Sequence, residues 1–201
     1  MALALIALGY LCGAIPSGVL LARVAGIDVR RAGSGNIGAT NVARTAGLRL
    51  GLLTLAADVT KGVVPVAITQ LVTVGDVLPA ATAVAAFLGH LFPPTLGFAG
   101  GKGVATALGV SLMLYPVVTV PTIGAFLATL AATGWVSLGS MVAAILAPIV
   151  LLVLGDPAPA HLTASIVMAV LIVIRHRDNL ARILAGTEPR ALLKKQAAPG
   201  K

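Results

Sequence analysis

Residues 104–174 read VATALGVSLMLYPVVTVPTIGAFLATLAATGWVSLGSMVAAILAPIVLLVLGDPAPAHLTASIVMAVLIVI. Apart from His161, the one ionisable acid or base in this stretch is Asp156, and it holds no lysine or arginine. A run this long with one formal charge belongs in lipid rather than against water. Its apolar residues are continuous instead of alternating, which argues for helices over a β-barrel. It divides into segments 104–115, 117–134, 136–154 and 160–174. Working outward, further apolar segments lie at 2–22, 51–74 and 77–92. Residues 104–134 have room for two short spans or a pair of half-helices, and both arrangements return the chain to the same side. The first run has no charged leader and no small-residue cleavage site, so it reads as a retained span and not a signal peptide.

The whole chain fits this reading. Of 201 residues, 58% are hydrophobic and 10% charged, against about 25% charged in an average soluble domain. The mean hydropathy is +1.04. A soluble globular enzyme, a disordered tail and a coiled coil are excluded. The net charge of +8 does not indicate a nucleic-acid partner, because no polar domain exists to present it. Cys12 stands alone, so no intramolecular disulfide forms. Nor is any internal repeat strong enough to argue an inverted-repeat transporter.

The basic residues are sorted by segment. Arg23, Arg30, Arg31, Arg44 and Arg49 lie between the first two apolar runs, Lys102 lies in a glycine-rich loop, and seven more follow Ile174. The connections containing Asp76 and Asp156 have none. The positive-inside rule then puts the basic segments in the cytoplasm and the N-terminus outside. This requires an odd number of crossings, and seven fits. The expected fold class is an all-α polytopic integral membrane protein: one domain over residues 1–201, a seven-transmembrane-helix bundle with a cytoplasmic C-terminus.

Polar chemistry is concentrated in three of the cytoplasmic segments. The first, residues 30–45, reads RRAGSGNIGATNVART. Gly33, Gly35 and Gly38 match the dinucleotide spacing, but the strand that this fingerprint needs is replaced by an apolar span. What remains is anion chemistry. Glycine backbone can approach a phosphate closely, Ser34, Asn36, Thr40 and Asn41 add neutral donors, and Arg44 adds a planar fork. An ordinary polar turn is the competing reading. The second segment, residues 89–106, reads GHLFPPTLGFAGGKGVAT. It is no Walker loop, since Leu96 and Gly103 occupy positions that motif reserves for glycine and for serine or threonine. Gly100, Gly101, Lys102 and Gly103 ahead of an apolar helix nevertheless form an anion cradle. His90 is either a capping or packing residue, or a catalytic residue or ligand. The third, residues 175–188, reads RHRDNLARILAGTE. His176, Asn179 and Arg182 share a face at helical spacing. An amphipathic tail helix on anionic lipid is the alternative here.

Asp58 and Lys61 lie inside the second run, three residues apart, and can pair on one face. Asp58 could instead neutralise a cytoplasmic arginine. No metal-binding constellation is visible, and Ala32 spoils a Gly-x-Ser-x-Gly elbow. Ser34 with His176 would be the available nucleophile and base.

Gly33–Asn41, Gly89–Pro93 with Gly100–Thr106, and His176-x-x-Asn179-x-x-Arg182 with Gly186-x-Glu188, in this order, closely resemble the bacterial acyl-phosphate:glycerol-3-phosphate acyltransferases. The resemblance covers nearly the whole chain. It implies an inner-membrane enzyme with its active site at the cytoplasmic face, which transfers the acyl group of a long-chain acyl phosphate to the sn-1 hydroxyl of glycerol 3-phosphate. The products are lysophosphatidic acid and inorganic phosphate, in the first step of phospholipid synthesis, with no cofactor and no metal. By this resemblance Ser34, Arg44, Lys102, His176 and Asn179 serve glycerol 3-phosphate. Asn36, Thr40, Asn41, Gly100, Gly101 and Gly103 are allotted to the acyl phosphate. Arg182, Glu188, Asp58 and Lys61 are supporting residues, with Glu188 pairing with an arginine. His176, Asn179, Ser34 and Lys102 make up the catalytic set, and the base is His176 or a donor phosphate oxygen. The partners implied are the two substrates and membrane lipid, with the chain acting as a monomer in transient contact with the enzyme that makes acyl phosphate. An organic-phosphate transporter, a membrane phosphatase and an assembly subunit are the competing classes.

Overall fold

A computed structural model describes residues 1–154 and 157–191. Asp156, Lys194, Lys195 and Lys201, used above for topology, lie outside the described residues. Among those described, all regular structure is helical: α1 (Ala2–Ala14), α2 (Ser17–Val24), α3 (Ala39–Ala46), α4 (Leu48–Val72), α5 (Val77–Leu91), α6 (Val104–Leu114), α7 (Pro116–Thr133), α8 (Val136–Leu154), α9 (Pro159–Arg175) and α10 (Arg177–Leu184), with a single 3-10 turn at Pro94–Leu96.

Among these residues five helices are long and apolar enough to cross a bilayer, counting α1 and α2 as one. A sixth arises if α9 and α10, bent by 51° at His176, are taken together. The sequence count of seven included residues 104–115. There the helix has 11 residues and is about 16 Å long at 1.5 Å per residue, well short of the roughly 30 Å hydrocarbon core. Its length is fixed by left-handed Gly103 at one end and by Pro116 immediately after the other.

The first apolar run is broken rather than straight. Proline restricts the residue before it to extended backbone, and Ile15 has φ −61° and ψ 118°. The chain therefore steps at Ile15–Pro16 before α2 begins. Elsewhere the helices meet lipid polarity rules internally. Thr54, Thr69, Thr122 and Thr129 each return their hydroxyl to the carbonyl four residues earlier, at 2.8–3.0 Å. Such back-bonding keeps a hydroxyl satisfied where no water is present.

Without a hydrophobic drive between helices in lipid, small residues let backbones approach. Gly9 and Gly13 of α1 face Thr82 and Ala86 of α5, and Gly89 returns the contact against Tyr10. A Cβ at Gly13 would overlap the Ala86 carbonyl. Gly62 of α4 and Gly109 of α6 meet in the same way. Gly13→Val is therefore expected to destabilise the bundle by about 3 kcal/mol, the upper range for overpacking a tight core. A lowered thermal midpoint in detergent is the readout; an unchanged midpoint would mean that α1 and α5 are not in contact.

The main core is built on Val66, Phe87, Leu91, Val110, Val118, Met168 and Ile172. A second, smaller cluster of Val19, Ala22, Val29, Ile37, Val42 and Leu96 pins the loop between α2 and α3. The segment after α5, the α7–α8 turn and the C-terminal segment gather at one end of the bundle. Arg175 bonds to Gly100 and Gly101, Ser137 bonds to Glu188, and the Ala191 N–H bonds to the Gly134 carbonyl at 2.7 Å. At the opposite end Asp76 and His161 approach to 3.5 Å.

Candidate active site

The loop carrying Ser34 is organised by one side chain. Asn41 is buried and directs its amide nitrogen at the carbonyls of Val29, Ala32 and Asn36, at 3.2, 3.0 and 2.9 Å, while its Oδ1 accepts the Ser34 N–H at 2.9 Å. The family resemblance implies a phosphate-binding Asn41. The structure commits its polar atoms to the loop itself, so its part is to aim Ser34. Gly33 makes this possible: its φ is +58°, and a Cβ there would strike Asn41 Oδ1. Asn36 closes a short turn by accepting the Gly38 N–H at 2.8 Å, which leaves its amide free to face the cavity.

The glycine loop also differs in detail from a cradle of amides. The N–H groups of Gly100 and Gly101 donate to the carbonyls of Leu91 and His90, at 3.0 and 3.1 Å. Their own carbonyls accept from Arg175, at 2.7 Å from Nη2 and 3.1 Å from Nε. Gly103, with φ +79°, packs on Phe87 and Leu91, where a Cβ would collide. The loop's one cationic side chain is Lys102, which lines the cavity where the three segments converge. Arg175, counted from sequence among the topology charges, is the clamp that fixes this loop, and its guanidinium lies 6.0 Å from the Phe92 ring.

Lys102 reaches Asn179 Oδ1. Asn179 passes the interaction on, donating to Glu188 Oε1 at 2.6 Å. Ser137 of α8 donates to the same oxygen at 2.6 Å, and Arg182 Nε to Glu188 Oε2 at 2.7 Å. The expected pairing of Glu188 with an arginine is thus present, and the network also recruits Ser137, which no motif had flagged. Burial lowers the Lys102 pKa to about 8, partly countered by Glu188 and reinforced by Arg182. For Glu188, burial acts upward but the hydrogen bonds from Ser137, Asn179 and Arg182 outweigh it, so the carboxyl titrates below its ordinary value.

His176 occupies the corner between α9 and α10. It is buried, with Nδ1 2.8 Å from the Ile172 carbonyl. With its hydrogen on Nδ1 as donor, Nε2 is left as an acceptor. Asp58 and Lys61 pair within α4 at 2.6 Å; among the described residues Asp58 has no arginine partner.

The three segments converge on one cavity of about 460 Å³, to which the first contributes Ser34, Gly35 and Asn36, the second Phe92, Gly100 and Lys102, and the third Arg175, Arg177, Asp178, Asn179 and Arg182. Leu171 and Ile174 give it an apolar edge on α9. Arg44, Thr40, Gly101, Gly103 and His176 do not line it. Arg44 is half-buried on α3.

Comparison with known proteins agrees with this geometry. The family model described as glycerol-3-phosphate acyltransferase matches residues 3–186. A glycerol-3-phosphate acyltransferase of Geobacter sulfurreducens is 45% identical, covering 94% of this chain and 96% of its own. That of Geotalea daltonii is 46% identical over 89% and 92%. Among solved structures, the crystal structure of PlsY, an integral membrane glycerol 3-phosphate acyltransferase, in its glycerol 3-phosphate form superposes with a TM-score of 0.90 at 40% identity, covering 94% of both chains. The lysophosphatidic acid form gives 0.87. With the family model spanning nearly all of the described helices, the chain belongs to the glycerol-3-phosphate acyltransferase family.

Proposed function

We propose that this membrane protein transfers the acyl group of a long-chain acyl phosphate to the sn-1 hydroxyl of glycerol 3-phosphate, releasing lysophosphatidic acid and inorganic phosphate. The observation that carries this reading is the single cavity in which Ser34, Lys102 and Asn179, drawn from motifs far apart in sequence, face one another. Two phosphate groups need neutral donors and cations at one mouth, and one substrate needs an apolar wall for its chain. Leu171, Ile174 and Phe92 supply that wall beside the cations.

Glycerol 3-phosphate is held by Ser34, Lys102 and Asn179, which line the cavity, while Arg44 on α3 adds its charge from outside that lining. The acyl phosphate is held by Asn36 and by the first turn of α3, where Thr40 is exposed and no side chain caps the helix. Of the amides there, those of Asn41 and Val42 donate to the Gly38 carbonyl at 3.1 and 3.2 Å, which leaves those of Ala39 and Thr40 for an anion. The hydroxyl oxygen attacks the acyl carbon, a new C–O ester bond forms, and the C–O bond to phosphate breaks. The hydroxyl proton passes to an oxygen of the departing phosphate, while His176, buried behind the cavity wall with Nδ1 on the Ile172 carbonyl, supports the α9–α10 corner that carries Asn179. An acyl phosphate is already activated, so alignment and stabilisation of developing negative charge suffice without a protein nucleophile.

The topology proposed is seven crossings with the N-terminus outside and the site in the cytoplasm, at the inner membrane. Its support is that the connections before α4 and α6, the α7–α8 turn and the C-terminal segment share one end, which holds the basic residues, while Asp76 and His161 mark the other. Short α6 then serves as a half-length pass packed on α4. The chain is taken to act as a monomer. Its cytoplasmic mouth is where the enzyme supplying acyl phosphate would make transient contact.

Purified protein given palmitoyl phosphate and labelled glycerol 3-phosphate is expected to form labelled lysophosphatidic acid. Absence of product, with flux of organic phosphate into liposomes instead, would replace this reading by a carrier.

A further inference from the structure

Three ionisable side chains are buried in the bundle beneath the cavity and touch neither proposed substrate. Asp58 and Lys61 belong to α4, and His90 to the end of α5. Lys61 Nζ lies 2.6 Å from Asp58 Oδ1, 2.7 Å from the Ile15 carbonyl oxygen and 3.4 Å from His90 Nδ1. Lys61 Nζ donates to the Ile15 carbonyl and to His90 Nδ1 and is ion-paired with Asp58. Donation by Lys61 makes His90 Nδ1 the acceptor and assigns the ring hydrogen to Nε2.

Neutralising a charge in lipid requires only the Asp58–Lys61 pair. The other two contacts lead to different parts of the active site. Ile15 is the last residue before Pro16, where α1 breaks to α2, and α2 delivers the chain into the loop bearing Ser34. His90 holds the second loop twice: its carbonyl accepts the Gly101 N–H at 3.1 Å, and its ring lies so close to Gly101 that no Cβ fits between them. Lys102 is the next residue.

We propose that the buried Asp58–Lys61–His90 cluster is a positioning node, joining the helix break behind the Ser34 loop to the loop that carries Lys102 and fixing the distance between them. The inference rests on the acyltransferase reading for what the two loops hold. The three are positioning residues, acting through Ile15 and Gly101.

Removing Lys61 alone strands the Asp58 carboxylate, so the charge-balanced pair Asp58→Asn with Lys61→Met is the cleaner variant, alongside His90→Leu and the conservative His90→Asn. The pair and His90→Leu are expected to lower kcat/KM about 100-fold, the scale of an ångström-sized misplacement. His90→Asn, which keeps an acceptor for Lys61, recovers most of the loss. In a Lys102→Ala background the His90→Leu penalty disappears, because both act through one loop. Binding of inorganic phosphate, followed by calorimetry, reads the node independently of acyl transfer. It weakens about tenfold in His90→Leu, as when support for a ligand is lost, and shows no further change with Lys102→Ala. If His90→Leu fails to fold, Gly101→Ala, which displaces the same ring, takes its place in both measurements. Wild-type phosphate affinity in these variants, or penalties that simply add to that of Lys102→Ala, overturns the node. A wild-type protein that binds phosphate in this pattern but makes no lysophosphatidic acid overturns the acyltransferase reading and leaves the node standing.

Discussion

Lys102→Ala is expected to lower kcat/KM for glycerol 3-phosphate by about a thousandfold, the upper range for loss of one preorganised charge-stabilising donor. The backbone of the loop is held independently by Arg175 and by the amides of Gly100 and Gly101, so the variant should keep its fold. The ammonium is the loop's one cation and its contact with Asn179 aims it into the cavity. Its loss removes charge both from substrate phosphate and from the phosphate leaving in the reaction. A pH dependence follows. Burial brings the Lys102 pKa down to about 8, so the group is cationic below that pH and becomes neutral as pH rises through it. In the wild type, KM for glycerol 3-phosphate should rise above about pH 8, and Lys102→Arg, whose guanidinium stays charged, should remove that rise. A flat wild-type profile from pH 7 to 9, or a Lys102→Ala variant with normal kcat/KM, would take Lys102 out of the site.

The second large effect is expected at Glu188. Its side chain is 6% exposed and accepts hydrogen bonds from Ser137, Asn179 and Arg182. Glu188→Ala removes all of those acceptors at once, leaves Asn179 without the contact that orients it toward Lys102, and releases Arg182 from the cavity wall. Activity should fall about 100-fold, the loss typical of a misplaced active-site group. Stability should fall by about 2 kcal/mol, the cost of leaving buried donors unpaired. Glu188→Gln keeps an acceptor for Ser137 and Asn179 but not the charge opposite Arg182, so it should lie between wild type and alanine. Because folding lowers the Glu188 pKa, its contribution to stability is present above the ordinary carboxylate range and is lost as pH falls through the folded value. A melting temperature equal to wild type in Glu188→Ala at neutral pH would show that the network is not formed.

Much of this arrangement was legible in the sequence, and the remainder was hidden for physical reasons. Continuous apolar runs identify helices because lipid tolerates little else, and the observed helices occupy the expected segments to within a few residues. Lys102 was visible as a lone cation in a glycine-rich loop, and Asn179 by its helical spacing from His176 and Arg182 in a polar segment. Asn41 was also visible, but composition does not distinguish a residue that binds an anion from one that binds its own loop. Arg175 was read as a topology charge, since its partners, Gly100 and Gly101, lie more than seventy residues away. Ser137 carried no signal at all: one serine in an apolar helix gains meaning only when Glu188 folds back against it. The step at Pro16 had a local signal in the pre-proline rule, though not its consequence, the Ile15 carbonyl that receives Lys61.

The central claim is that the cavity joins two phosphate substrates for acyl transfer, and the most direct measurement is product stoichiometry. Purified protein, incubated with palmitoyl phosphate and labelled glycerol 3-phosphate, should release one inorganic phosphate for each lysophosphatidic acid formed, and Lys102→Ala should lower both together in the same ratio. Phosphate release without lysophosphatidic acid, or lysophosphatidic acid made from palmitoyl-CoA and not from palmitoyl phosphate, would contradict it.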